Sequence, residues 1–282
     1  MRDLSRQMKI DSHHHFWHYN PVEFGWIDET MRVIRRDFLP EDLRGEIARA
    51  GIEGVVSVQA RQSLSETQSL LEFADGNDFI KGVVGWVEIS SARVSEDLEH
   101  FAAKPKFKSV RHVIQGEQDD NFILRSDFNR GIRVLKRFSL AYDILVLERH
   151  LPQTIRFVDD HPDQVFVMDH IAKPRIKDGI FEPWNQNIRE LAKRPNVSCK
   201  ISGMVTEADF SGWSEAQLRP YFDTVLEAFG PQRLMFGSDW PVCLVASSYA
   251  TWRDVVSHWV AGLTTHEQDR ILGGTAVEVY KL

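Results

Sequence analysis

Apolar and β-branched runs recur along the chain at intervals of roughly 20 to 35 residues, and amphipathic stretches separate most of them. This alternation is typical of βαβ units, in which a helix connects each strand to the next parallel strand. Eight such runs can be recognised, and eight alternations of strand and helix favour a closed (β/α)8 barrel over an open sheet. The predicted strands cover residues 9–15, 54–60, 80–88, 107–114, 141–146, 165–171, 196–202 and 233–239.

The segments between these runs carry helix signals. Pro40 and Pro152 each begin a helical pattern, because proline is favoured in the first turn of a helix. The last two large helices are expected at residues 215–229 and 249–260, with a further short one ending at Gly273 and Gly274, and residues 276–282 close the chain. No linker or low-complexity tract interrupts the pattern. The sequence therefore predicts an α/β protein with a single TIM-barrel domain over residues 1–282, in which residues 1–8 form a short N-terminal extension.

The connection after the first strand, residues 16–39, is long for a barrel and rich in aromatic side chains. Connections at the carboxyl ends of barrel strands lie on the catalytic face, so this one can form a wall of a substrate site. Its rings can equally pack on the barrel as a separate apolar core. One loop can serve both purposes, and Trp26 is expected to contact substrate.

The net charge of -7, from 34 Lys and Arg against 41 Asp and Glu, argues against broad binding to nucleic acid or anionic membranes. A small molecule is therefore the expected partner, and a homo-oligomer stays open as an alternative to a monomer. No run of about 18 apolar residues predicts a membrane span. Cys199 and Cys243 are too few for a disulfide framework and are not spaced as a metal-binding pair, which favours a reducing cytoplasm.

The strongest chemical signal is the sequence Asp11-Ser12-His13-His14-His15 at the end of the first predicted strand. Strand side chains alternate, so His13 and His15 are expected to point into the barrel, and His14 toward the helices. Two imidazoles that share one focus can hold a divalent cation or donate hydrogen bonds to a substrate carbonyl. We therefore predict that both are catalytic residues.

Asp239 follows the eighth predicted strand, and a carboxylate at the mouth of a barrel is costly to desolvate unless it is used. The first and eighth strands are neighbours in a closed barrel, so Asp239 can converge with His13 and His15. His170, or the adjacent Asp169, is expected at the same mouth from strand six. Asp239, His170, His13 and His15 are predicted as catalytic. His13, His15 and Asp239 are also provisional ligands of one metal ion.

Other side chains at strand ends are candidates for substrate binding. On strand seven the alternation places Lys200 inside the barrel, where a cation suits an anionic group or a developing oxyanion. On strand four the alternation does not decide between Arg111 and His112. Gln59 and Trp86, at the ends of strands two and three, are candidate walls of the substrate site.

Together these motifs resemble a known family. A His-x-His pair after strand one, a histidine after strand six and an aspartate after strand eight are similar to the pattern of the amidohydrolase superfamily. The finer phrases resemble its amidohydrolase 2 branch, and in particular the group that contains sugar lactonases, such as L-fuconolactonase and L-rhamnonolactonase, and the 2-pyrone-4,6-dicarboxylate lactonase. These phrases are Arg111-His112, Asp169-His170-Ile171-Ala172-Lys173-Pro174, Lys200-Ile201-Ser202-Gly203 and Phe236-Gly237-Ser238-Asp239-Trp240-Pro241. The resemblance spans residues 9–276.

One position departs from the metal-dependent members of that superfamily, which usually supply a histidine from strand five. Here strand five contains Tyr142 and Asp143, and the nearest histidine, His150, lies beyond it. A binuclear site is therefore not expected. A single zinc ion on the three predicted ligands, with or without His170, is chemically adequate. The group that this sequence resembles also includes lactonases that need no metal, so one divalent ion or none is expected.

The leading hypothesis is hydrolysis of a sugar aldonolactone such as L-fuconolactone or L-rhamnonolactone, with Asp239 as general base and with histidine and cationic donors on the oxyanion. A 2-pyrone-4,6-dicarboxylate-type lactonase and a zinc-dependent decarboxylase of the same fold are the alternatives. Several cationic groups at the mouth would favour a dicarboxylate ring, whereas aromatic walls favour a sugar. A non-catalytic carbohydrate-binding barrel is disfavoured, because it has no need for a convergent aspartate and histidines.

Overall fold

The computed structural model describes residues 7–282, so residues 1–6 of the predicted N-terminal extension lie outside the described part of the chain. Eight strands follow one another, each within a run predicted from the sequence. They are β1 (Ile10–His14), β2 (Gly54–Val58), β3 (Ile80–Gly85), β4 (Phe107–Val113), β5 (Ala141–Leu145), β6 (Phe166–Met168), β7 (Val197–Ile201) and β8 (Leu234–Phe236).

Neighbouring strands are parallel and pair in the order β1 to β8. The sheet returns to its start just beyond β8, where the Asp239 N–H donates to His13 O at 2.8 Å and the His15 N–H donates to Trp240 O at 2.7 Å. This closure confirms the predicted (β/α)8 barrel. Both faces of the strands are buried, which explains why β2 and β3 are mostly apolar at successive positions and do not alternate with polar residues.

Helices cover the outside of the barrel, and the expected bounds of the last two large ones are confirmed. The barrel helices are α1 (Pro40–Arg49), α2 (Leu64–Gly76), α3 (Val94–Ala102), α4 (Ser126–Leu135), α5 (Leu151–Asp159), α6 (Trp184–Ala192), α7 (Glu215–Phe229) and α8 (Tyr249–Val260), followed by α9 (Thr265–Asp269) and α10 (Thr275–Tyr280). Residues Arg270–Gly274 form a π-helical turn between α9 and α10. Across residues 7–282, helices fall short of the length and apolarity that a bilayer crossing requires.

Two apolar clusters fill the protein. The larger one lies between the strands and the surrounding helices. The smaller one fills the barrel near the amino ends of the strands and includes Ile10, Val56, Val84, Val167 and Met235. Helix α10 packs against the smaller cluster, which places the fully buried Tyr280 inside the barrel.

The aromatic loop of residues 16–39 has both predicted roles. Phe16, Trp17, Phe24 and Phe38 are buried and join the larger apolar cluster. Trp26 is 43% exposed and packs edge-on against Trp17, with ring centroids 6.0 Å apart. The loop is therefore anchored by a core of its own rings and still presents an aromatic side chain to the catalytic face.

Asp11 holds the seam at which the barrel closes. Its Oδ1 accepts hydrogen bonds from the N–H of His13 at 3.1 Å and of Ser238 at 2.9 Å, and its Oδ2 accepts from the Tyr249 hydroxyl at 3.0 Å. The carboxylate is fully buried. Asp11 thus links three parts of the protein: β1, the segment after β8, and α8.

We expect Asp11→Ala to lower the free energy of unfolding by about 2–5 kcal/mol, because two buried N–H groups would lose the carboxylate that accepts from them. Asp11→Asn is the matched control, since its amide oxygen can still accept both hydrogen bonds, and it should lose less than half as much. Urea unfolding monitored by fluorescence measures both values. Equal losses in the two variants would contradict this account of the seam.

Candidate active site

A cavity of about 490 Å³ opens at the carboxyl ends of the strands, where barrel enzymes place their active sites. Its volume lies within the usual range of roughly 300–1,000 Å³ for small-molecule sites. Its polar lining residues are His15, Arg111, Gln115, His170, Lys173, Thr206, Glu207 and Asp239. The larger apolar ones are Trp26, Met31, Val113, Leu145, Leu147, Phe210 and Val242.

Three imidazole rings surround Asp239. Its Oδ1 lies 3.3 Å from His15 Nε2, 3.7 Å from His13 Nε2 and 3.9 Å from His170 Nε2. The structure thus brings together the four residues predicted as catalytic. His15 and His170 line the cavity, whereas His13 is fully buried and in ring contact with both. His13 is therefore placed to orient the other groups, not to touch a bound molecule.

An unusual backbone turn after β6 positions His170. Four consecutive residues, His170 to Lys173, have φ values of 53°, 48°, 60° and 48°, and this left-handed conformation costs about 1–2 kcal/mol for each residue other than glycine. Ile171 and Ala172 are fully buried, and the Trp184 indole donates a hydrogen bond to Ile171 O at 2.7 Å. These contacts hold the strained turn, and the turn brings both His170 and Lys173 to the cavity wall.

Two glycines leave room for the histidine rings. A Cβ on Gly203 would lie 2.6 Å from His170 Nδ1, and a Cβ on Gly237 would lie 2.8 Å from His13 Cβ. Both separations are too short for non-bonded atoms. A larger residue at either position would therefore displace a ring or a strand.

A buried ion network lies behind the cavity. The Lys200 ammonium is 2.5 Å from Asp143 Oδ2, 2.9 Å from Asp169 Oδ1 and 3.2 Å from His13 Nδ1. Arg111 Nη1 donates to Asp169 Oδ2 at 2.9 Å. Lys200 is fully buried and does not line the cavity, so the expected contact with substrate is replaced by a contact with His13. Loss of one partner from such a buried pair typically costs about 3–5 kcal/mol.

Cationic groups approach His13 from two sides. The Lys200 ammonium lies 3.2 Å from His13 Nδ1, and Arg111 Nη1 lies 3.4 Å from His13 Nε2, which also faces His15 Nε2 at 3.2 Å. Lysine and arginine side chains donate hydrogen bonds and accept none. On the other side of the pair, His15 Nδ1 donates to Val58 O at 2.8 Å. The surroundings of His13 therefore favour a neutral ring.

Burial determines the protonation of the site. It lowers the pKa of His13 well below 6.5 and that of His170 to about 4, so both rings are neutral at pH 7. Burial acts to raise the pKa of Asp239, but His170, His15 and Lys173 outweigh it, and this pKa lies below the ordinary value of 3.8. At neutral pH the site therefore presents an ionised Asp239 next to the neutral imidazoles of His13 and His170.

The same atoms fit one divalent cation. Ligand atoms in a tetrahedral zinc site lie about 3.3 Å apart when the Zn–N bonds are about 2.0–2.1 Å. His13 Nε2, His15 Nε2 and Asp239 Oδ1 are separated by 3.2, 3.3 and 3.7 Å, and ligand atoms of His13, His170 and Asp239 lie within 4.8 Å of one another. As a ligand, His13 would carry its hydrogen on Nδ1, where Asp169 Oδ1 lies 3.4 Å away. Within residues 7–282 this is the one such cluster, which favours one ion over two.

Three residues expected to bind substrate lie behind the cavity wall. The Gln59 side chain is fully buried and donates to Arg111 O at 3.1 Å. His112 pairs with Glu117 through Nε2 at 2.7 Å, and the Trp86 indole approaches His112 Nδ1 at 3.4 Å. The Gln59 amide nitrogen, the His112 ring and the Trp86 indole are occupied by neighbouring protein atoms. We therefore revise the role of these residues from substrate contact to support of the wall.

Arg111, and not His112, faces the cavity, which resolves the alternative that strand alternation left open. One side of its guanidinium is held by Asp169 and by Gln59 O. Its Nε–H is buried and has no hydrogen-bond partner among residues 7–282. One donor of Arg111, a residue that lines the cavity, is therefore not used by the protein itself. Trp26 lines the same cavity, as expected.

Strand five supplies no imidazole to the site. His150 lies in the turn Glu148–His150, where its Nε2 pairs with Asp120 at 2.9 Å and its Nδ1 accepts from the Leu147 N–H at 3.2 Å. It therefore anchors the loop that carries Leu147 to the cavity wall.

Two charged residues on the cavity wall were not predicted from the sequence. Lys173 and Glu207, from the segments after β6 and β7, form an ion pair at 3.1 Å. Lys173 stands in the phrase around His170, but the sequence does not reveal the left-handed turn that positions it. Glu207 lies in an irregular loop, and no pattern in the sequence marks it.

Comparisons with known proteins agree with this geometry. A family model described as amidohydrolase matches residues 10–282. The chain is 39% identical to an L-fucono-1,5-lactonase of Burkholderia multivorans, over 98% of this chain and 96% of that protein, and 36% identical to an L-fucono-1,5-lactonase of Burkholderia ambifaria, over 97% and 96%. A crystal structure of a Burkholderia multivorans amidohydrolase with bound zinc superposes with a TM-score of 0.95, at 38% identity, over 98% of this chain and 99% of that one. The chain therefore belongs to the amidohydrolase family.

Proposed function

We propose that this protein hydrolyses a sugar lactone, such as L-fuconolactone or L-rhamnonolactone. The observation that carries the proposal is an ionised Asp239 at the wall of a small-molecule cavity, between His15 and His170. Near full-length similarity to two L-fucono-1,5-lactonases supports the same chemistry. The enzyme is a hydrolase that acts on a carboxylic ester bond.

Asp239 is the general base of the proposed reaction. Its carboxylate is ionised at neutral pH and reaches the cavity, so it can take a proton from water as the new C–O bond to the lactone carbonyl forms. The tetrahedral intermediate then expels the ring oxygen. Protonated Asp239 returns its proton to that oxygen, and the products are one hydroxyl and one carboxylic acid in the same open chain. The acid then releases its proton to water and becomes a carboxylate.

Two groups on the cavity wall suit the developing oxyanion. Arg111 has an unpaired Nε–H and a fixed charge. His170 pairs with the Ser202 hydroxyl through Nδ1 at 2.9 Å, which leaves its Nε2 toward Asp239 and the cavity. Donors held in place before the reaction stabilise the transition state without reorganisation. His13 and His15 hold Asp239 and the His170 ring in their relative positions.

The charges of the cavity favour a sugar over a dicarboxylate ring. Two cations line it, and each has a carboxylate partner: Arg111 pairs with Asp169, and Lys173 pairs with Glu207. Asp239 adds a further negative charge. A substrate with two carboxylates would meet no excess of positive charge there, whereas a neutral polyhydroxylated ring suits paired charges and the apolar surface of Trp26.

The donor set also fits one zinc ion, held by His13, Asp239 and either His15 or His170. When bound, the ion would polarise the lactone carbonyl as a Lewis acid. The residues described above would still position water and move its proton. A zinc-dependent decarboxylase is the second candidate for this donor set, and release of carbon dioxide distinguishes it.

Cellular location and assembly belong to the same proposal. Cys199 and Cys243 are unpaired and buried, which supports a reducing cytoplasm as the place of action. Assembly into a homo-oligomer is open to measurement by light scattering.

A panel of aldonolactones and 2-pyrone-4,6-dicarboxylate, assayed with a pH indicator, tests the substrate class. We expect acid release from aldonolactones, with kcat/KM at least about tenfold above that for the dicarboxylate, because an unpaired charge meets no compensating cation in the cavity. No carbon dioxide should form from carboxylated aromatic acids. Faster turnover of the dicarboxylate, or decarboxylation alone, would overturn the proposal.

Asp239→Asn should reduce kcat by about 100-fold to 10,000-fold, because the amide keeps the size of the side chain but cannot accept the proton of water. Circular dichroism verifies that the variant is folded. The wild-type pH profile gives an independent check. A base works only when ionised, and the pKa of Asp239 lies below 3.8, so the acid limb of kcat/KM should also lie below that pH. Wild-type turnover in the variant would refute the assignment.

Elemental analysis of the purified protein should find at most one tightly held divalent ion per chain, since the described residues form one ligand cluster. The same measurement on His13→Ala should show less bound zinc, because the cluster loses a ligand. Two tightly held ions per wild-type chain would contradict this interpretation of the site.

A further inference from the structure

Lys173 and Glu207 form a charged pair on the cavity wall that the proposed hydrolysis does not use. The Lys173 ammonium lies 3.1 Å from Glu207 Oε1, and the two side chains are 19% and 22% exposed. Both line the cavity that also contains Asp239 and His170. The pair is therefore partly shielded from water but open to a bound molecule.

The protein maintains this pair with two separate loops. Lys173 ends the left-handed turn that begins at His170, so a backbone conformation that side chains rarely adopt sets the place of the ammonium. Glu207 lies in the loop after β7, which is fixed to the Lys173 loop by a hydrogen bond from the Lys177 N–H to Glu207 O at 2.9 Å. A surface ion pair does not need such support.

The chemistry of the pair matches that of vicinal hydroxyl groups. Each hydroxyl can donate one hydrogen bond and accept others. A carboxylate accepts from a hydroxyl, and the ammonium, which has three hydrogens, can donate to a hydroxyl and still hold its carboxylate. Charged partners make these hydrogen bonds stronger than neutral ones. The carbonyl-binding groups Arg111 and His170 stand on the same cavity wall, so one ring can meet both sets.

We propose that Lys173 and Glu207 bind hydroxyl groups of the lactone ring and determine the preference for polyhydroxylated over unsubstituted lactones. This inference rests on the proposed lactonase function and adds the residues that select the substrate. Neither residue exchanges protons with the reacting atoms. Their effect is on selectivity and not on the hydrolytic step itself.

The test compares two lactones that share a six-membered ring. L-fucono-1,5-lactone carries ring hydroxyls, and δ-valerolactone carries none. The measured quantity is the ratio of kcat/KM for the first to kcat/KM for the second, in the full-length enzyme. Any effect of a substitution on the charge of Asp239 changes both values alike and cancels in the ratio.

Lys173→Met should lower this ratio about 10-fold to 100-fold, which is the effect expected when hydrogen bonds to a charged group are lost. Glu207→Gln should lower it toward the smaller end of that range, because the amide oxygen still accepts a hydrogen bond. Arg175→Met is the matched control. Arg175 lies in the same loop and pairs with the exposed Asp178 at 2.7 Å, outside the cavity, so its removal should leave the ratio unchanged.

The outcomes are distinct. A fall in the ratio for Lys173→Met and Glu207→Gln, but not for Arg175→Met, supports the inference. An unchanged ratio in both variants, whether or not turnover of the two lactones falls in parallel, overturns it and leaves the lactonase function standing. If the wild-type enzyme hydrolyses none of the aldonolactones in the panel, the proposed function fails and the inference fails with it. Glu207→Gln keeps the test decisive if Lys173→Met does not fold, since it leaves the strained turn intact.

Discussion

The hydrogen bonds across the seam between β8 and β1 set the distances in the active site. Asp239 N–H donates to His13 O at 2.8 Å, and Asp11 bridges the N–H groups of His13 and Ser238. Asp239 and His13 thus belong to facing backbones, and the absence of a Cβ on Gly237 allows those backbones to approach. Once this seam is closed, the Asp239 carboxylate and the imidazoles of His13 and His15 can change their relative positions only by side-chain rotation. Closure of the barrel therefore also sets the geometry between Asp239 and these two histidines.

A second constraint is the charged interior beneath the site. Barrel interiors are usually filled by apolar side chains, and the amino end of this barrel follows that rule. Nearer the cavity, Lys200 meets Asp143, Asp169 and His13, and Tyr280 donates to Asp143 at 2.7 Å. Replacement of such buried ions by well-packed apolar residues is often neutral or stabilising. Here the ions contact His13 and hold Arg111, so the interior contributes to the orientation of the site.

The sequence predicts the fold well because the strands of a parallel barrel are buried on both faces and are rich in apolar residues. The limits of prediction are physical. The run predicted for strand six continues to Ile171, but the backbone is left-handed from His170 onward, so the strand ends at Met168 and the predicted run extends too far. Alternation cannot decide between Arg111 and His112 without the register of β4 against β5, which pairs Arg111 with Asp143.

The residues of the candidate site also differ in how well the sequence predicts their positions. The histidines and Asp239 follow strands directly, so strand geometry predicts their convergence. Gln59, His112, Trp86 and Lys200 also lie at strand ends, but their side chains are engaged by other buried groups, which depends on packing at a depth that sequence does not give. Lys173 and Glu207 meet only because two irregular loops are hydrogen-bonded to each other.

In the proposed mechanism, Asp239 activates water and is not itself the nucleophile. A single turnover of L-fuconolactone in ¹⁸O-labelled water, with enzyme in excess, tests it directly. If Asp239 acts as a base, the attacking oxygen comes from water. The first product should then carry one ¹⁸O in its carboxylate, and the peptide that contains Asp239 should carry none. A first product without ¹⁸O, together with label in Asp239, would show a covalent acyl intermediate and contradict the account.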